Sequence, residues 1–275
     1  MKTLCNSILT FILVLAASGS LAQTNKAGIT PENEGVKYKS ISNFHMVNML
    51  GNRDIPTDGL LAYYPFKNGS AEDHWGSNDG TNHGASSTED RFGCDDYAFY
   101  FDGDHDYVSI FNLHSYSVFS VSLWVLHEDQ ELACYIISGD DGNTDRGIGI
   151  GHIDEIFVHT GLGGGTTEYV VQPGEWIHVV LQFTPDDVIV HVDGSEIWSF
   201  GAAAGGWQES GWDIGSSPFM SHDRYNLKGK IDDVRIYDRP LIDEEIQALY
   251  NEPCDCYDPS PTTLSTWGAI KSVYR

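Results

Sequence analysis

A chain of 275 residues with 40 acidic and 15 basic side chains carries a formal charge of −25. That balance repels nucleic acid and anionic bilayers and argues against a role in tracking phosphates. It suits a soluble exported protein able to attract cations, and the length allows one large all-β domain.

Met1 to Ala22 reads as a cleaved signal peptide. Lys2 is its basic end, Ile8 to Ala17 is largely apolar, and Ser20-Leu21-Ala22 offers small residues for cleavage. A membrane anchor fails on length, since a spanning helix needs about 20 apolar residues. Cys5 precedes the apolar run, which argues against a lipid anchor, so the expected destination is extracellular or periplasmic. Removing the leader takes away Lys2 and leaves a charge of about −26. Residues 23–57 are polar and aperiodic, with Pro31, Gly35 and Pro56, and read as a leader or linker in which Phe44 to Leu50 docks as a short segment.

The globular domain is expected over residues 58–252. Gly, Asp and Asn punctuate runs of β-forming residues at 60–66, 97–101, 107–111, 118–127, 135–138, 147–150, 156–160, 168–172, 176–184, 188–192, 196–200, 212–214 and 229–237. Asp193-Gly194 marks a hairpin turn. In the last run, Ile231, Asp233, Arg235 and Tyr237 alternate with Asp232, Val234 and Ile236, and Pro240 ends the strand. Ile242, Ile246, Leu249 and Tyr250 then fall at helical spacing. Asp243, Glu244 and Glu245 crowd the first turn, where the macrodipole favours negative charge, and Leu241 is spaced to staple Ile246. The pattern predicts an all-β fold of two antiparallel sheets with one short C-terminal helix. A Pro/Ser/Thr-rich tail, 253–275, follows.

Four cysteines outlast the leader: Cys94, Cys134, Cys254 and Cys256. An even number in an oxidising compartment favours disulfides over a zinc site, with three pairings open. Cys254 and Cys256 can bond to each other only in a tight ring, so Cys94 or Cys134 is expected to reach elsewhere.

The segment K-I-D-D-V-R-I-Y-D-R-P-L from Lys230 to Leu241, followed by E-I-Q-A-L-Y from Glu245 to Tyr250, resembles the closing signature of laminin-G-like jelly rolls. These belong with the concanavalin A-like sandwiches, to which pentraxins are related. Gly59 to Phe66, Asp73 to Thr81, Phe101-Asp102-Gly103, Val121 to Val125, Trp176 to Val180 and Val192-Asp193-Gly194 fall in the family's order, so the resemblance spans roughly Asp58 to Asn251. It implies a two-sheet antiparallel jelly roll. It also implies a structural Ca²⁺ joining the early loop to the closing strand, with Asp73, Asp232 and carbonyls near Asn68 as ligands. Ca²⁺ takes six to eight hard oxygens, so carboxylates and carbonyls are apt; the alternative is that Asp73 caps a turn and Asp232–Asp233 pair with Arg235 or with an orphan backbone N–H. Trp75 stands where the family's loop carries serine.

Asp140 to Gly147 begins like an EF-hand loop, but Arg146 fills the position that needs glycine, and a hairpin loop is the better reading. A carbohydrate site needs aromatic platforms beside polar groups. Trp207, Trp212 and Trp75, with Tyr225 and Asn226, are the loop candidates, whereas Trp124 and Trp176 are expected in the core. Catalysis lacks its parts. The related glucanases carry paired glutamates on one strand; here Asp154-Glu155-Ile156 has no second glutamate in place. The expectation is a secreted, non-catalytic module that binds a glycan, or alternatively a cell-surface protein, without inserting into a membrane or binding nucleic acid. A divergent glycosidase is the remaining alternative.

Overall fold

A computed structural model of the chain describes residues 54–111, 113, 117–128, 131–140, 146–160, 163–201, 211–218, 224–254 and 256. Residues 1–53, where a signal peptide and most of the linker are expected, Trp207 and all but the start of the tail lie outside the described residues. Among the described residues, alternating apolar side chains build fifteen strands, numbered in chain order, in two antiparallel sheets. The first sheet runs β13 (Ser195–Gly201), β12 (Asp187–Val192), β11 (Trp176–Phe183), β6 (Phe119–His127), β15 (Lys228–Tyr237), β4 (Ala98–Asp102) and β3 (Ser86–Thr88), with β1 (Leu60–Tyr64) also on β15. The second runs β10 (Gly164–Val170), β9 (Glu155–Thr160), β8 (Arg146–Ile150), β7 (Cys134–Asp140), β14 (Gly211–Ile214), β5 (Tyr107–Ile110) and β2 (Thr81–His83). Every predicted strand has a counterpart. The exposed three-residue strands β2 and β3 were beyond the reach of periodicity.

The inner faces of the two sheets meet in one core. Leu123, Val125, Ile231 and Val234 from the first sheet and Ile137, Ile148, Ile156 and Val158 from the second all belong to it. The predicted hairpin turn is present: Asp193 and Gly194 both have positive φ, 49° and 79°, as the turn between twisted strands demands.

Strand β15 departs from its simple alternation. Its register against β6 shifts between Asp232 and Arg235, and Asp233 takes φ 52°. This bulge inserts an extra residue, so Ile231 points inward together with Val234 and Ile236 instead of sharing a face with Arg235 and Tyr237. The bulge coincides with a change of neighbour: β15 pairs with β4 through Ile231 and with β1 from Val234 onward.

Helix α1 (Asp243–Tyr250) closes over the outer face of the first sheet. Glu245 accepts the Ile242 N–H at 3.0 Å, and Arg239 grips both oxygens of Glu245. Leu241, Ile246 and Leu249 form a second apolar cluster with Leu60, Val180 and Tyr237, so the staple is real, while Ile242 stays exposed. Trp124 is not between the sheets as expected. It lies under the helix, stacked 5.8 Å from Tyr250, because its strand position faces outward.

His178 lies beside it, 1 % exposed, with Nε2 2.9 Å from Ser122 Oγ. Burial, and then the charges of Arg91 and Arg235, lower its pKa from 6.5 to about 3. The folded state therefore holds a neutral imidazole, while the unfolded chain takes a proton below its ordinary value. This contribution is fully present above pH 6.5 and is lost as pH falls towards about 3. Denaturant titrations between pH 7 and 4 should show the wild-type advantage over His178→Gln shrinking by at most about 1.4 kcal/mol per pH unit; a pH-independent difference would refute the exclusion of that proton.

Candidate functional site

Two places carry most of the predicted site residues, and the first is the early loop. Asp73 is buried, and its Oδ1 accepts the N–H groups of Tyr63, Trp75 and Gly76, each at 3.0 Å. Its Oδ2 accepts the Asn78 N–H at 3.0 Å and the Asn78 amide at 3.4 Å. Burial opposes ionisation, but the donated N–H bonds outweigh it and hold the carboxyl below its usual range. A carboxylate offers about four lone-pair sites, and five donors already point at these.

Asp232, the second expected ligand, is 2 % exposed and accepts from Arg91 Nη1 at 2.8 Å. The same nitrogen bonds Asp233 at 2.6 Å, and Tyr63 donates to Asp233 at 2.6 Å. Arg235 lies 3.7 Å from Asp233 and 2.7 Å from Glu252. Burial, with Asp233 beside it, pushes Asp232 well above the carboxylate range. Burial works against Asp233 too, but Arg235 and Arg91 prevail and hold it low. Asn68 is exposed in a 3-10 turn, Lys67–Gly69. The Asp73, Asp232 and Asn68 set therefore does not fit calcium. N–H donors and a guanidinium occupy the positions a cation would need, so the Ca²⁺ expectation is corrected at these residues. Of the predicted alternative the turn cap is present, while the acidic pair is held by Arg91, with Arg235 reaching only Asp233.

The second place is the outer face of the second sheet. Inward residues Cys134, Ile148, Ile150, Ile156 and Val158 alternate with outward Tyr135, Gly149, Glu155, Phe157 and His159. Tyr135, Glu155, Phe157 and His159, with Gly164, Gly165, Thr166, His152 and Tyr225, line a cleft of about 480 Å³. Tyr135 is its hub. Phe157, His159 and Tyr225 meet its ring edge-on at 5.2, 5.5 and 6.2 Å. The Tyr135 hydroxyl and His159 Nδ1 share a hydrogen bond at 2.6 Å, and burial lowers the pKa of His159. A Cβ at Gly149 would run into the Phe157 ring and the Cys134 carbonyl, so only glycine leaves this ring its place.

Tyr225 is set by its loop: the Tyr135 N–H donates to the Tyr225 carbonyl at 2.9 Å, and Ser216 Oγ donates to Asn226 Oδ1 at 2.7 Å. Asn226 is thus a buried brace and not a ligand contact, which corrects its assignment. Trp212 is corrected as well. It is 2 % exposed and meets Phe119 edge-on at 5.2 Å, because the alternation of β14 turns it inward and Asp213 outward. Trp75 is 49 % exposed on the early loop, and among the described ligand candidates only Tyr225 lines the cleft. Tyr135, Phe157 and His159 were missed as ligand candidates. Their signal was the alternation of Glu155, Phe157 and His159, with Gly149 and Gly147 of β8 opposite Phe157 and His159 and Gly164 of β10 opposite His159.

The disulfide framework is also partly corrected. Cys94 bonds Cys256, while Cys134 is buried in the core, its thiol pushed up to about 12 by burial.

The family model of the concanavalin A-like lectin/glucanases superfamily matches residues 101–247. The chain belongs to this superfamily. Domain 4 of AbnA, a GH43 extracellular arabinanase from Geobacillus stearothermophilus solved with arabinotriose, superposes at TM-score 0.55 and 18 % identity, over 70 % of this chain and 98 % of that one. Trypanosoma rangeli sialidase in complex with the inhibitor DANA gives 0.58 and 16 %, over 71 % of this chain and 33 % of the enzyme. A structure describing botulinum neurotoxin type C and its interaction with two ganglioside molecules gives 0.56 and 12 %, over 74 % and 52 %. The chain thus spans about a third of the sialidase and half of the toxin chain, and these likenesses establish the shared sandwich. None of the curated proteins matches the chain.

Within this superfamily fold, Asp73 is predicted to act as a polar hub. Asp73→Ala should cost about 2–4 kcal/mol, since each lost hydrogen bond is worth about 1 kcal/mol and the donors are left buried. The melting temperature of the wild type should be the same in chelator and in calcium; a calcium-dependent rise abolished by Asp73→Ala would contradict this reading of the loop.

Proposed function

We propose that the cleft on the second sheet binds a neutral oligosaccharide and leaves it intact. The supporting observation is the ring cluster Tyr135, Phe157, His159 and Tyr225 around a cleft of about 480 Å³, with Glu155 and His152 at its margin. Sugars present apolar C–H faces and hydroxyl edges; rings with a few placed polar groups match both. A sandwich of the same fold is known with arabinotriose, and it is matched over nearly its whole length. The charge of −25 disfavours anionic glycans, which narrows the ligand to neutral chains.

The cleft's described lining supplies one carboxylate, Glu155. Its neighbour Asp154 turns away, 3.0 Å from His127 Nε2. Glycoside hydrolysis by the usual routes needs two carboxyl groups, about 5–5.5 Å apart for retention and about 6.5–9.5 Å for inversion. Binding without cleavage fits a single acid better than either geometry does. The leader sequence supports export, where such a module would meet its glycan.

Arabinotriose and a set of neutral oligosaccharides, titrated by calorimetry, should bind, and Tyr225→Ala or Phe157→Ala should weaken binding about tenfold or more. A buried aromatic is worth about 1.5–3 kcal/mol and tenfold is about 1.4 kcal/mol. Binding confined to sialylated gangliosides would overturn the neutral ligand, and release of new reducing ends would overturn the non-catalytic reading.

A further inference from the structure

Three cysteines converge beside the end of α1, and the disulfide uses only two. Cys94 bonds Cys256, while Cys254 Sγ lies 3.4 Å from the first and 3.1 Å from the second. Each sulfur lies within 4.8 Å of the others. The three differ in freedom. Cys94 is buried, its N–H held by Asp90 Oδ1 at 2.8 Å in the loop that also carries Arg91. Cys254 is half-buried and Cys256 exposed, on the short segment that leaves Glu252, itself bonded to Arg235 at 2.7 Å. One sulfur is therefore fixed, and two others reach it from the same few residues.

Cys134 cannot take part. It is buried in the core and shares no contact with the cluster. The leftover thiol is thus Cys254 in the state observed.

We propose that Cys94, Cys254 and Cys256 form a thiol–disulfide exchange site, in which Cys94 passes between the two C-terminal cysteines and the released thiol captures a small disulfide. In the first step Cys254 gives its proton to solvent, and its thiolate attacks Cys94 Sγ. The Cys94–Cys254 bond forms, the Cys94–Cys256 bond breaks, and Cys256 leaves as a thiolate that takes up a proton. Nothing is oxidised or reduced overall, so no external oxidant is required. In the second step the free thiolate attacks a low-molecular-weight disulfide. A mixed disulfide forms on Cys254 or Cys256, and one equivalent of the small thiol is released.

Cys254 is nearly equidistant from both sulfurs, so it flanks the bond and must swing into line before attack. Its half-exposed position past the last helical turn permits that rotation, and the fixed Cys94 keeps the target in reach. Three sulfurs this close would also suit a thiophilic cation. The Cys94–Cys256 bond engages two of the three, which favours exchange over metal binding.

The test uses the full chain with its disulfide intact. Native alkylation, followed by cleavage at Asp255 to separate the two positions, should find one reactive thiol per chain, divided between Cys254 and Cys256. Cys134 should label only after denaturation. Oxidised glutathione should add one glutathione per chain at the same two positions. Cys254→Ser should reduce native labelling from one per chain to none, and Cys256→Ser should still protect Cys94 through a new bond to Cys254. Label on Cys254 alone in the wild type, with Cys94 and Cys254 both alkylated in Cys256→Ser, would overturn the proposal. So would protection of all three thiols by stoichiometric zinc and their release by a chelator.

Discussion

Two neighbouring carboxylates in the middle of a central strand set the terms for this sandwich. Asp232 and Asp233 are both buried on β15, and an isolated charge there would cost several kcal/mol. Arg91 answers both, and Arg235 and Tyr63 answer Asp233. The left-handed backbone at Asp233 costs about 1–3 kcal/mol, and the surrounding bonds over-determine it. The cluster occupies the point where β4 gives way to β1 along the same edge of β15. It therefore joins the first strand, the last strand, the loop of Arg91 and the segment of Glu252. Glu252 is raised to about 7, first by burial, so ionising it opposes folding as pH rises from its ordinary value through neutrality.

This arrangement decides which face is open to a ligand. On the outer side of the first sheet Arg91 sits 4.7 Å over Trp124, Trp124 stacks on Tyr250, and the apolar side of α1 covers Val180 and Tyr237. That face is filled by the chain's own clasp. Among the described residues no helix covers the outer side of the second sheet, and Gly149 leaves room for the Phe157 ring while Gly164 leaves room beside His159. A platform of rings can form there because the inward residues of the same strands are small or branched aliphatics that hold the backbone against the core.

Much of the fold was legible because strand alternation is a direct record of burial. The clasp was equally plain: Leu241, Ile246 and the acidic first turn stood in the sequence as they stand in space. Alternation broke down where a bulge changed its phase, and nothing local marks the extra residue at Asp233. Site residues were less legible. Trp212 looked like a loop platform because Gly211 precedes it, yet strand pairing with β5 and β7 turns it inward. Asp73 looked like a cation ligand because both roles want a carboxylate in a tight loop; only the directions of four backbone N–H groups separate them. The cleft was hidden for another reason. It is assembled from three strands and a distant loop residue, Tyr225, and register between strands is not written in any one of them.

The arginines also shape what the surface can attract. Arg91, Arg235 and Arg239 are engaged in ion pairs within the domain, and Arg146 is buried against the rings of Phe119 and Phe183. Only 15 basic residues balance 40 acidic ones to begin with. Arg91 and Arg235 are engaged by Asp232, Asp233 and Glu252, and Arg239 by Glu245, so these cations are already spoken for. An anionic sugar approaching the cleft would meet Glu155 and a negative field, with no guanidinium lining the cleft among the described residues. On the proposed reading, the interactions that secure β15 and the strand ends would also disfavour charged glycans, which would connect the stability of the first sheet to the specificity of the second.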